Sequence, residues 1–222
     1  RDLVSLQRVR GRSVFLYSAL VLTRGALAVP GALVSSLVPT LGITTYVLST
    51  AGRDSHVFGQ VMHRRGSPFA HLTFLAPDAA LDSPDMADLL DALVSFSGEN
   101  GAYHLLAEVD EKTDVFESLR RSSFAIYTRQ RIWQFDRKAL QASAPKTQLG
   151  KWRPVVSKDT IAIRSLYNNL VPPLVQQAEP FSYNQNLKGW VYERSGEILG
   201  FATPIYGPRG VWLQPFIHPD AE

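Results

Sequence analysis

Cysteine is absent from all 222 residues. That excludes disulfides, thiolate metal sites and a cysteine nucleophile, and it agrees with a reducing cytoplasm as the expected location. Metal-ligand spacing is also lacking among the His, Asp and Glu residues, so no metal is expected, and there is no Gly-x-Ser-x-Gly elbow or Walker loop. Charge of one sign is nearly balanced, with 23 Lys and Arg against 20 Asp and Glu for a net charge of +3. Arg1, Arg8, Arg10 and Arg12, and later Arg120, Arg121, Arg129 and Arg131, are spaced as solvated faces rather than a polybasic tract. That argues against a nucleic acid partner. A long apolar run is missing too. Residues 14–41 are interrupted by Arg24 and carry Gly25, Pro30, Gly31 and Pro39, and 14–22 is too short to cross a bilayer. Two buried helices joined by a Gly/Pro turn are expected there, with no stable membrane insertion and no placeable signal cleavage site. The chain opens on Arg1 rather than Met, so a preceding segment is expected.

What the sequence does contain is an ordinary globular balance, 45% apolar and 19% charged, and a repeat. Phe74-Leu75-Ala76-Pro77-Asp78-Ala79 returns, altered, as Phe216-Ile217-His218-Pro219-Asp220-Ala221. Val57-Phe58-Gly59 stands before the first copy at nearly the spacing that Ile198-Leu199-Gly200 keeps before the second. Both copies read as strand, glycine-bearing strand, turn, strand, then Pro-Asp. A repeat of about 140 residues is one domain length, so two copies of one domain are expected. Residues 1–140 form the first and 151–222 the opening half of the second, with an Ala-, Ser-, Gln- and Lys-rich linker over 137–150.

Periodicity supplies the order of elements. Helices are expected at 2–15 and 31–38, then strands at 43–50, 57–63 and 69–75, with a turn at 64–68. Pro84-Asp85 opens a helix whose apolar face is Met86, Leu89, Leu90, Leu93, Val94 and Phe96, and Gly98 to Gly101 ends it. A strand at 103–109, a helix at 114–121 capped by Thr113 or Asp114, and an alternating strand at 125–135 complete the first copy. The second reads as strand 152–156, helix 161–171, a Pro172-Pro173 interruption, and strands at 189–194, 198–205 and 211–217. Its opening strand has no counterpart at the start of the first copy. Trp133, Trp152, Trp190 and Trp212 all fall on these strands and are expected in core or inter-domain packing.

This order resembles that of the GNAT superfamily of N-acetyltransferases. The likeness rests on the turns Leu75-Ala76-Pro77-Asp78 and Ile217-His218-Pro219-Asp220, on the late helix and phenylalanine from Asp114 to Phe124, and on the strand from Ile126 to Phe135. The resemblance implies an α+β fold: a mixed, mostly antiparallel GNAT-like sheet flanked by helices, plus the N-terminal half of a second such domain. It also implies acyl transfer from acetyl-CoA or another acyl-CoA to a small-molecule or peptide amine. The strand-end backbone of Phe74, Leu75 and Ala76, and of Phe216, Ile217 and His218, would then face the cofactor. A pantetheine arm needs free backbone groups where that strand parts from its neighbour. Its diphosphate needs glycine-rich N–H groups leading into a helix, and the amine needs a general base.

The first copy departs from this pattern twice. After Asp78, where the family has Arg/Gln-x-x-Gly-x-Gly/Ala, it has Ala79-Ala80-Leu81-Asp82-Ser83-Pro84-Asp85. No glycine admits a phosphate to the backbone, and Pro84 has no N–H. At ~6 Å and an effective dielectric of ~20, each carboxylate facing a diphosphate charge costs roughly 2–3 kcal/mol. On the late helix, Leu119 stands where the family's proton-donating tyrosine usually does. The first copy is therefore expected to be non-catalytic, a pseudoenzyme half. The second stops before its loop, which is expected beyond Glu222.

As catalytic candidates, Glu108 lies on the strand after the long helix and Glu193 on a strand that often lines the acceptor groove in the resembled family. Each also reads as a solvent-facing or hairpin-end residue. His71 and His104 read as structural histidines, Tyr206 as a hairpin-end residue beside Gly207-Pro208, and Arg129 and Arg131 as a solvated face or a patch for an acidic partner. Three functions compete. They are a tandem acyltransferase, a non-catalytic GNAT-like interaction module, and attachment of basic, apolar N-terminal helices to a membrane surface.

Overall fold

β-branched and aromatic residues alternate through three consecutive stretches in each half of the chain, and both triplets form antiparallel meanders. The computed structural model describes residues 12–25, 42–49, 56–136, 151–181 and 187–221. It divides into two compact units, Arg1–Ala125 with Tyr206–Trp212, and Ile126–Ile205 with Leu213–Glu222. The architecture is mixed α+β, with two sheets flanked by helices.

In the first unit the elements are β1 (Val14–Phe15), α1 (Ser18–Arg24), β2 (Ile43–Ser49), β3 (His56–His63), β4 (Phe69–Ala76), α2 (Pro84–Glu99), β5 (His104–Leu106) and α3 (Asp114–Arg121). The sheet runs β1-β4-β3-β2, and β5 joins β4 in parallel. Helix α2 starts where expected because Ser83 Oγ accepts the Met86 N–H at 3.2 Å and Pro84 fits the first turn. It lays Met86, Leu89, Leu90 and Leu93 against Val57, Val61, Leu72 and Leu75 of the sheet. Gly59 permits that approach, since a Cβ there would lie 2.6 Å from Leu93 Cδ1. A separate cluster of Phe58, Phe74 and Ala76 is fully buried. Beside it, Thr73 Oγ1 donates to Gln60 Oε1 at 2.7 Å and Gln60 Nε2 donates to Thr45 Oγ1 at 3.1 Å, so the buried amide is satisfied.

The second unit has β6 (Lys151–Pro154), α4 (Thr160–Leu170), α5 (Pro173–Ala178), β7 (Trp190–Arg194) and, apart from residues 206–212, β8 (Glu197–Gly207) and β9 (Gly210–Ile217). Its sheet order is β6-β7-β8-β9. Ile163 and Leu166 of α4 pack on Val191, Phe201 and Phe216. Gly200 stands on β8 as Gly59 stands on β3, and both meanders end in a 3₁₀ turn, at Asp78–Ala80 and at Pro219–Ala221.

Several expectations are corrected. Val14–Phe15 is strand, not the end of a helix, and the helix begins at Ser18. A β-branched and an aromatic residue here gain more from pairing with β4 than from a helical turn. The strand expected at 103–109 shortens to His104–Leu106, because the Glu108 N–H turns to the Leu16 carbonyl. No strand forms at 125–135, where alternation finds no ladder partner among the described residues. The Arg131 guanidinium instead lies 5.9 Å over the Trp133 ring, and the Tyr127 hydroxyl donates to Glu179 Oε1. Trp133 and Trp152 are 69% and 42% exposed, not core. Residues 2–11 of the helix expected at 2–15, the helix expected at 31–38 and the linker 137–150 lie outside the described residues.

Candidate functional site

Both candidate sites are strand ends, and they differ in what lies beside them. One edge of β4 is shared by two partners. Phe69, Ala70 and His71 pair in parallel with His104, Leu105 and Leu106. Further along, Phe74 and Leu75 pair antiparallel with Phe15 and Val14. The Leu16 N–H donates to the Thr73 carbonyl at 2.9 Å, and the Leu16 carbonyl accepts the Glu108 N–H at 2.8 Å. The segment before α1 is thus bonded on both sides, to β4 and to the chain that follows β5. On their other edge Phe74, Leu75 and Ala76 pair with Gln60, Gly59 and Phe58.

Glu108 Oε2 accepts the Ser18 N–H at 3.0 Å. A carboxylate at a helix N-terminus satisfies a donor that has no intrahelical partner, so Glu108 fastens α1. His71 stacks on Tyr17 at 4.3 Å between ring centroids, with Phe69 edge-on at 5.5 Å. Burial, and then the charge of Arg64, lower its pKa to about 4. An unfolded histidine binds its proton near 6.5, so the unfolded chain holds more protons between these values. The first unit should therefore keep its full stability above about pH 6.5, lose roughly 3 kcal/mol as pH falls towards 4, and change no further from this residue below that. Urea denaturation of wild type and His71→Gln across pH 4–7 checks this, and a flat difference between them would refute it.

The loop after β4 keeps its polar groups to itself. Asp78 Oδ1 accepts the Ala79 N–H at 2.7 Å, Asp82 pairs with Arg121 at 2.7 Å, and Ser83 caps α2. An anion arriving at α2 would meet carboxylates and a helix end already capped.

In the second unit Glu193 Oε2 accepts from Arg153 Nε at 2.7 Å. The same guanidinium donates to both oxygens of Asp159, at 2.7 and 2.9 Å, and Asp159 Oδ2 also accepts the Val156 N–H at 2.9 Å. The hydrogen bond from Arg153 holds the Asp159 carboxyl below the usual range against the opposing effect of burial. This fork ties β6 to β7 and to the turn before α4. Glu193 is one of its members, and neither glutamate candidate stands free.

At the end of β9, Phe216 packs in the core against Tyr167 and Phe201, while Ile217 is exposed. The His218 N–H donates to the Leu199 carbonyl at 2.8 Å, and Asp220 N–H donates to His218 Nδ1 at 3.2 Å. Because residue 218 faces β8, alternation turns the N–H and C=O of Ile217 to the outer edge. Strand β9 is the last of its sheet among the described residues. Tyr206 is exposed at the hairpin end.

The Arg153–Asp159 pair was missed from sequence, although an Asp just before a helical run is a known start signal. The pairing of residues 14–16 with β4 had no local signal at all. Among the described residues no group of three or more His, Asp and Glu is placed to hold a metal ion, and no helix is long and apolar enough to cross a membrane. Comparison with models of known protein families and with curated protein sequences gives no match.

Proposed function

We propose that this chain belongs to a GNAT-like acyltransferase whose first unit is non-catalytic and whose second unit takes acyl-CoA at the end of β9. The carrying observation is the contrast between two equivalent strand ends. The outer edge of Phe74 and Leu75 is taken by β1, whereas β9 ends its sheet among the described residues. A pantetheine amide would bond to the outward N–H and C=O of Ile217, beside Phe216 and His218. A small-molecule or peptide amine would accept the acyl group. Glu108 and Glu193 then serve as fasteners, and the base is a different group.

In the first unit the residues do not fit acyl-CoA. The strand edge is bonded, the helix N-terminus is capped by Ser83, and Asp78, Asp82 and Asp85 oppose a diphosphate. The same features favour an interaction module as the second reading for that unit.

The test is calorimetric titration of acetyl-CoA into the protein, with hydrogen exchange to locate the contact. Binding with new protection at 213–218 and none at 72–76 is expected. Protection at 72–76 would overturn the assignment to the second unit, and no binding by folded protein would leave the interaction module.

A further inference from the structure

We draw no further inference here: the strongest candidate, the half-exposed apolar face of the second sheet where Trp152, Tyr192 and Ile217 stand around Gly200, is an unpartnered surface patch, and nothing among the described residues shows what covers it.

Discussion

Replacing Arg153 by methionine is expected to destabilise the second unit by about 3 kcal/mol, the lower end of the range for breaking a buried ion pair. The cost arises at Asp159, whose side chain is 4% exposed. Without the guanidinium its carboxylate keeps, among the described residues, the Val156 N–H and the charge of Lys158. Arg153 is itself 26% exposed, so water screens part of the loss. Glu193→Gln should cost under about 1 kcal/mol, because Glu193 is 36% exposed and an amide oxygen still accepts from Arg153 Nε. Replacing Arg153 and Asp159 together by apolar residues should recover much of the single-variant loss, since no uncompensated charge is then buried. The pH dependence follows from the lowered pKa of Asp159. Its contribution is present above the ordinary carboxylate pKa and disappears as pH falls through the lower folded value. Urea denaturation followed by exchange of α4 amides measures all of these. An Arg153→Met variant as stable as wild type would show that the fork does not hold β6, β7 and α4 together.

The elements that could be read from the sequence are those whose cause is local. Strands β2, β3 and β4, and their counterparts β7, β8 and β9, alternate within themselves and end at Pro-Asp turns. Helix α2 carries its own start signal in Ser83-Pro84 and its own apolar stripe. What was not legible depends on partners distant in the chain. Residues 14–15 look like part of an apolar helix until Leu75 and Phe74 are beside them. Residues 125–135 alternate as a strand should, yet a strand requires a neighbour, and none of the described residues supplies one. The candidate site divides the same way. The repeat located both strand ends, at Phe74 and at Phe216, from sequence. That one edge is bonded and the other ends its sheet is a property of pairing, and so are the fastening roles of Glu108 and Glu193.

Phe74→Ala is expected to cost the first unit about 3–5 kcal/mol, the usual loss for a fully buried aromatic residue. Phe74 has no exposed surface and packs with Phe58, Ala76 and the partly buried Phe15. Alanine retains the backbone N–H and C=O, so pairing with Gln60 and Phe15 remains available. A purely backbone role at this strand end would therefore survive the substitution, and the loss reports packing alone. In thermal terms it corresponds to a fall of roughly 10–20 °C for a unit of this size. Phe15→Ala should cost less, because that ring is not fully enclosed. The double variant should cost less than the two single losses combined, since each ring is part of the other's environment. A Phe74→Ala loss below about 1 kcal/mol would show that the cluster behind β4 is not closed. Full additivity with Phe15→Ala would show instead that β1 does not rest on that cluster.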